Sequence, residues 1–198
     1  MNFADYAKAM QEKRVIHIVG DIDNDRLADF HKQLYAILAE PSKDEIVVGL
    51  NTPGGNIFMG MAIFHDLIAL QETRKLWLIC QGRIHSMGIY IMLAVPKKRR
   101  VANPLTEWYC HKGKMSQTID LFGTPDQHDE IYKEYGSAIK NMRRQQRELA
   151  KLLAANTSID KKKAWNLIKN PRRIYEEEAV KFGFIDHILE GGKPFERL

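Results

Sequence analysis

The sequence is short of the features that mark secreted, membrane-spanning and metal-binding proteins. It has two cysteines in 198 residues, Cys80 and Cys110, which excludes a disulfide framework and a CxxC metal site. Residues 1–11 carry charged side chains and lack the apolar segment of a signal peptide. The longest apolar run, residues 89–95, is far too short to cross a bilayer. We therefore expect a cytoplasmic protein with no membrane contact and no metal site.

The chain also lacks the pattern of a nucleic-acid-binding protein. Its formal charge is +5, but the basic residues are scattered or grouped in short runs such as 97–100 and 161–163, without interleaved aromatic residues. Such runs are typical of solvated helix faces, so we predict no nucleic-acid partner. Hydrophobic residues make up 44% of the sequence, which is enough for the core of a single domain.

Hydrophobic periodicity predicts an alternation of strands and helices. Apolar runs predict strands at residues 14–19, 45–50, 76–80, 108–110 and 184–189. Helical spacing predicts helices at residues 3–10, 27–38, 57–70, 89–95, 127–153, 160–168 and 176–182. Asn24 or Asp25 would cap the second of these helices, and Ser158 or Asp160 the sixth. The order βαβαβα is that of right-handed crossovers around a mainly parallel sheet, which gives an α/β fold.

The helix predicted at residues 127–153 is unusually long for a chain of this size. It would extend about 40 Å, and Gly136 inside it lowers its stability. A helix of this length usually projects and packs against a partner, and packing inside the core is the alternative. Residues 112–125, which precede it, contain glycine and proline and are predicted to form a loop.

Two strand-to-helix turns carry the candidate chemistry. Ser86 opens the apolar helix that follows strand 76–80. Its hydroxyl is either an N-cap of that helix or a nucleophile. The helix dipole and the free N–H groups at this position stabilise negative charge, which would favour a nucleophile. Pro53-Gly54-Gly55 is either a plain turn or a set of backbone donors for an oxyanion. In a parallel sheet, such turns emerge together at the carboxyl ends of the strands.

His111 is the candidate general base among the seven histidines. It follows the predicted strand 108–110 and precedes a loop that contains glycine. His85 is adjacent to Ser86 in the chain and would point away from it, which makes it a poor base. A single histidine after a strand is more often structural, but its combination with the two turns favours catalysis.

Five segments stand in the order found in a known family. They are KRVIHIVGDI, LNTPGGNIFMGMAIFHDL, ICQGRIHSMG, NPLTEWYCHKG and EEEAVKFGFIDHIL. These resemble, in turn, the first strand, the PGG segment, the nucleophile turn, the histidine segment and the closing segment of ClpP, the proteolytic subunit of Clp protease. The likeness runs from about Lys13 to Leu189. It implies the ClpP/crotonase-like spiral of ββα units, with a mainly parallel sheet and a projecting handle helix.

The resemblance implies the chemistry of a serine endopeptidase. Carried over residue by residue, it makes Ser86 the nucleophile and His111 its base, with the N–H groups of Gly55 and Met87 as the oxyanion hole. The family has an aspartate that orients the histidine, and this sequence has no carboxylate at that place. Asn170 is the candidate third member, as the asparagine is in papain-like enzymes.

The resemblance also implies one domain and a ring assembly. A head would comprise about residues 1–111 and 157–198, and a handle about residues 112–156. Handles of this family join two stacked rings that enclose the active sites, and no cofactor is needed beyond the ATP used by a partner ATPase. The substrates would be peptides or unfolded proteins.

Three departures from the family pattern affect these expectations. Ile84-His85 replaces the small pair before the serine, and Lys112-Gly113 replaces the pair after the histidine. Both changes would reshape the substrate groove. The sequence also begins just before its first helix, so that either the terminus is trimmed or the protein does not dock on a Clp ATPase in the usual way.

Two alternatives to a working peptidase stay open. One is a catalytically weak or silent subunit of the ClpR type, with a structural or regulatory role, which the missing aspartate favours. The other is a crotonase-like acyl-CoA enzyme, which shares the spiral architecture and binds a thioester oxyanion with backbone N–H groups.

Overall fold

The computed structural model describes residues 1–42, 44–112 and 124–189. One sheet contains seven strands, and β1-β2-β3-β4-β7 is the order of its main part. The strands are β1 (Val15–Val19), β2 (Ile46–Thr52), β3 (Leu76–His85), β4 (Arg100–Ala102), β5 (Glu107–Tyr109), β6 (Arg173–Ile174) and β7 (His187–Ile188). All neighbouring strands run parallel except β5 and β6. The prediction of a mainly parallel α/β fold is confirmed.

Seven α-helices connect and cover these strands in the described part of the chain. They are α1 (Phe3–Gln11), α2 (Asn24–Ala39), α3 (Ile57–Leu70), α4 (Met87–Met92), α5 (Pro125–Ala155), α6 (Lys161–Lys169) and α7 (Glu176–Phe182). Helices α3 and α7 have the predicted bounds, and Gly183 ends α7 with a left-handed φ of 70°. Most of the loop predicted at residues 112–125 lies outside the described residues.

The structure corrects the predicted N-cap of α2 and decides between the two candidate N-caps of α6. The cap of α2 is Asp23, whose Oδ1 accepts a hydrogen bond from the Arg26 N–H at 2.8 Å, so neither Asn24 nor Asp25 is the cap. The cap of α6 is Asp160, one of the two candidates, and it accepts from the Lys163 N–H at 2.7 Å. In both cases the aspartate satisfies an N–H that the first turn leaves unpaired.

Strand β3 is longer than predicted and belongs to two parts of the sheet. Its first half pairs with β2 and β4, and its second half pairs with β5 through residues 83–85. Gly82 lies between the halves with a positive φ of 68°, which glycine adopts without strain. The strand predicted to end at Cys80 therefore continues through Gly82 to His85 and pairs with β5.

The two faces of the sheet bury different clusters. Alternate strand residues such as Val48 and Leu78 face the main core under α2, α3 and α4. Their neighbours Val47 and Ile79 face a smaller cluster covered by Tyr6 of α1. Apolar surface on both faces is what an internal parallel strand requires.

Helix α5 is half packed and half exposed. Its 31 residues correspond to about 46 Å. Ala150 and Leu153 near its end are buried, whereas Tyr132 in its first half is 63% exposed and Ile139 is 37% exposed. The helix therefore extends beyond the core that its last turns complete, as the handle prediction requires. Within the described residues, no helix combines the length and apolarity needed to cross a membrane.

Candidate active site

Ser86 is the single residue between strand β3 and helix α4. Its φ of 51° and ψ of −118° lie outside the regions that L-residues normally occupy, and its hydroxyl makes no capping hydrogen bond to α4. The capping interpretation is therefore not supported. A strained turn with an unused hydroxyl is the backbone arrangement that presents a nucleophile.

A hydrogen bond joins this serine to the strand that leads to His111. The Ser86 N–H donates to the Tyr109 carbonyl at 2.8 Å, continuing the parallel register in which His85 lies opposite Tyr109. His111 follows two residues later. The pairing of β3 with β5 thus places the serine turn and the histidine segment at the same end of the sheet.

The His111 ring contacts the backbone carbonyl of the next residue. Its Nδ1 lies 2.5 Å from the Lys112 carbonyl oxygen. Because a carbonyl only accepts, a hydrogen bond in this contact requires a proton on Nδ1, and the neutral ring with that proton has its lone pair on Nε2. This is the tautomer that a general base needs. The Tyr109 ring packs on the imidazole at a centroid distance of 5.6 Å.

The glycine turn lies directly against the serine turn. A Cβ atom added at Gly54 would lie 2.5 Å from the Ser86 Cβ and 3.0 Å from the Met87 nitrogen, so only glycine permits this approach. Gly54 has a φ of 100°, and its N–H donates to the buried Thr52 hydroxyl at 3.0 Å. The predicted meeting of the two turns is therefore present in the structure.

Two backbone N–H groups beside the serine are unpaired. Ile22 bridges to the glycine turn through the Gly54 carbonyl and the Asn56 N–H, which leaves the Gly55 N–H directed to the opposite side. Met87 is the first residue of α4, so its N–H has no acceptor within the helix. Among the described residues, neither N–H has a hydrogen-bond partner. Free donors of this kind are what an oxyanion hole requires.

One cleft collects all four of these groups. It has a volume of about 720 Å³, and Ser86, Met87, Gly55 and His111 all contribute to its lining. Its opposite wall is the α5 helix, through residues between 138 and 149. A cleft of this size and shape can hold several residues of an extended peptide.

The side chain of Asn170 contacts a different residue from the predicted partner, His111. It is the C-cap of α6, and its Nδ2 donates to the Asn166 Oδ1 at 2.7 Å. The Nδ1 of His111 has the Lys112 carbonyl as its partner instead. In this structure, the group that orients the histidine is therefore a backbone carbonyl.

His85 is held away from the cleft by strand β5. Its Nε2 lies 3.0 Å from Glu107 Oε1, without hydrogen-bond geometry, and Arg173 donates to the other Glu107 oxygen at 3.0 Å. Burial lowers the pKa of His85, and the Glu107 carboxylate offsets this only in part. The prediction that His85 points away from Ser86 agrees with these contacts.

The two thiols are not competing nucleophiles. Cys80 and Cys110 are free and buried, and burial raises the pKa of each thiol to about 12. No group of three or more histidine, cysteine, aspartate or glutamate side chains in the described ranges could hold a metal ion.

Three contributors to the site were not predicted from the sequence. They are the carbonyl of Lys112, the carbonyl of Tyr109 and the identity of Gly54 as the residue that touches Ser86 where the two turns meet. The double glycine was a usable signal for the last of these. The two carbonyls are backbone groups, and no residue type marks them.

Comparison with known proteins agrees with this geometry. The family model described as Clp protease matches residues 1–192. The chain belongs to the Clp protease family. A relative named ATP-dependent Clp protease proteolytic subunit 3, from Rhizobium johnstonii, is 30% identical, with 90% of this chain and 84% of the relative covered. The proteolytic subunit from Streptococcus agalactiae is 24% identical, with 93% and 88% covered.

A solved structure confirms the ClpP-like fold. A ClpP1 mutant from Listeria monocytogenes matches with a TM-score of 0.73 at 24% identity, covering 94% of this chain and 96% of that chain. Membership of the Clp protease family makes the chain a ClpP-like protease at the family level. The acyl-CoA alternative loses its support, since the likeness extends through the peptidase segments.

Proposed function

We propose that this chain is an active serine endopeptidase subunit. The observation that carries the proposal is the shared cleft, which Ser86, His111, Gly55 and Met87 line together. The serine hydroxyl supplies the nucleophile and the His111 Nε2 accepts its proton. The N–H groups of Gly55 and Met87 receive the negative charge of the carbonyl oxygen.

The reaction follows from these roles in two halves. The Ser86 Oγ bonds to the scissile carbonyl carbon while its proton moves to His111 Nε2, giving a tetrahedral oxyanion. The carbon–nitrogen bond then breaks, and the imidazolium returns the proton to the leaving amine. Water attacks the resulting ester with His111 again as base, releasing the acid and restoring Ser86.

The Lys112 carbonyl takes the orienting role in this proposal. The large loss caused by replacing a triad aspartate with asparagine, about 10⁴ in turnover, arises because the amide favours the wrong tautomer of the histidine. A carbonyl can only accept, so it retains the productive tautomer of His111. It carries no full charge, and it therefore stabilises the imidazolium less than a carboxylate does.

The assembly and location in this proposal come from the family. We propose a homo-oligomeric ring, stacked through α5, with the clefts enclosed and a Clp-type ATPase as a possible source of unfolded substrate. The two buried free thiols fit a reducing compartment such as the cytoplasm.

Labelling with a fluorophosphonate probe tests whether the nucleophile is activated. The assembled protein should be labelled at Ser86, and Ser86→Ala should abolish labelling while the secondary structure and assembled mass are unchanged. His111→Ala should lower the labelling rate by at least about 100-fold, because general-base catalysis contributes that much.

The silent-subunit hypothesis gives the opposite result in this experiment. It rests on the absence of a carboxylate on the His111 Nδ1, which contacts the Lys112 carbonyl instead. A correctly assembled ring that shows no labelling, and no hydrolysis of a fluorogenic peptide library, would support that hypothesis and reject the peptidase proposal.

A further inference from the structure

A second groove lies between α5 and α6, and its rim is strongly basic. It has a volume of about 420 Å³. Four cationic side chains line it from three separate segments: Lys112 after β5, Arg143 and Arg147 on α5, and Lys169 on α6. No aspartate or glutamate is among the described residues that line it. A concave surface with one sign of charge concentrates ligands of the opposite sign.

Within the described part of the chain, these four cations lack close partners, although Arg147 lies near enough to the Glu148 carboxylate to help lower its pKa. None of them forms an ion pair or a side-chain hydrogen bond there, whereas Lys151 pairs with Glu148 one turn further along α5. Like charges in a common groove repel one another, which is unfavourable unless an anion is bound. The arrangement thus favours an acidic occupant.

Three of the four uncharged residues that the structure describes in the lining of this groove are apolar, and the fourth is the buried Gln146. Trp165 and Ile139 are each 37% exposed, and both contribute to its lining together with the half-buried Met142. Apolar side chains beside a basic rim suit a ligand side chain that has an aliphatic stem and a negatively charged end, such as glutamate. A fully hydrated small anion gains little from such apolar contacts.

The groove adjoins the proposed catalytic cleft. Met142 lines both cavities. Lys112 lines the groove and directly follows His111, which lines the cleft. A peptide whose scissile bond lies at Ser86 can therefore extend past Met142 and place a nearby side chain in the groove.

We propose that this basic groove is a specificity subsite that receives an acidic side chain of the peptide substrate. The proposal rests on the proposed peptidase function, which it deepens by naming a substrate class. The cations select the charge of that side chain, and Trp165 and Met142 select an aliphatic stem beside it.

The first test is a positional peptide series on the assembled enzyme. Fluorogenic peptides differ only in carrying glutamate, glutamine or lysine at one position, and each position around the scissile bond is tested in turn. At one fixed position, kcat/KM should fall in the order glutamate, glutamine, lysine. The glutamate-to-lysine ratio should be roughly tenfold at low salt and should shrink at high salt.

Substitutions on the rim should remove this preference. In the double variant Arg147→Gln and Lys169→Gln, the glutamate-to-lysine ratio should fall to about twofold or less. Lys133→Gln, an exposed position on the same helix that does not line the groove, is the matched control and should keep the full ratio.

A binding measurement separates this proposal from the peptidase proposal. Ser86→Ala cannot turn over, but it should still bind the glutamate peptide more tightly than the lysine peptide. Binding should change the fluorescence of Trp165, and Trp165→Phe should remove that change. If fluorophosphonate labelling fails but this preference is present, only the peptidase proposal fails.

Three results would overturn the subsite. One is a labelled, active enzyme with no preference for glutamate at any position. The second is a preference that survives unchanged in the rim variant. The third is a rim variant that changes the assembled mass but keeps the peptide preference. Such a result would show that the groove is a contact between subunits.

Discussion

Gly54 is the residue at which the two turns of the site touch. Any side chain there would displace Ser86 or the Met87 nitrogen, and the positive φ adds backbone strain. Gly54→Ala should therefore lower the fluorophosphonate labelling rate by about 100-fold, since a displacement of about 1 Å costs that much. Labelling within a few-fold of the wild type would show that this contact does not position the nucleophile.

Asn170 is expected to be dispensable, unlike the third member of a triad. Its amide contacts Asn166 and the His111 Nδ1 contacts the Lys112 carbonyl. Asn170→Ala should therefore change peptide turnover by no more than about twofold, whereas loss of a true orienting residue costs about 10⁴. A large drop in kcat at unchanged stability would instead give the orienting role back to Asn170.

His85 should make the stability of the protein depend on pH. Burial lowers its pKa in the folded protein, whereas the unfolded chain has a pKa of about 6.5 at this residue. As the pH falls below about 6.5, the unfolded chain binds a proton at His85 before the folded protein does, so the free energy of unfolding decreases. The groups that face it are Glu107, Arg83 and Arg173.

Urea denaturation between about pH 7 and about pH 5 measures this effect. His85→Gln should lose less stability over that interval than the wild type. His65→Gln, on the exposed face of α3, is the control and should lose as much as the wild type. An identical pH slope for His85→Gln and the wild type would contradict the assignment.

At the scale of elements, local pattern was enough for α3 and α7 but not for the ends of β3 or of α4, which was predicted at residues 89–95 and extends over Met87–Met92. Helices α3 and α7 were predicted with their observed bounds because their caps and apolar stripes are local. The end of β3 was wrong by five residues. The strand continues to His85 because its last residues form hydrogen bonds with β5. Strand β5 lies more than twenty residues further along the chain, so a local pattern does not include it.

The same distinction explains how much of the site was predictable. Ser86, His111 and the glycine turn are marked by residue type and order, so the sequence and its resemblance to ClpP pointed to them. The orienting Lys112 carbonyl is a backbone group whose role depends on the conformation of one peptide unit. Side-chain patterns do not reveal such a group, whereas Asn170 is predicted from its place in the family pattern, where the aspartate stands.

Helix α5 contains a glycine that its conformation does not need. Nothing lies within 4 Å of the position that a Gly136 Cβ would occupy, and its φ is not in the positive region. Gly136→Ala should therefore stabilise the protein by about 1 kcal/mol, through the higher helix propensity of alanine. It also serves as a control for Gly54→Ala, because it adds the same methyl group without a clash. Destabilisation would mean that another chain packs against this position.

At the scale of the whole molecule, the exposed half of α5 predicts assembly. An apolar surface on a projecting helix is costly in water and is normally covered by a partner. Tyr132 is 63% exposed on this half of the helix, and we expect Tyr132→Lys to shift sedimentation from the proposed ring toward smaller species. Tyr35→Lys, which alters an equally exposed tyrosine on α2, should leave the ring intact. Dissociation of both variants, or of neither, would rule out α5 as the contact that joins the rings.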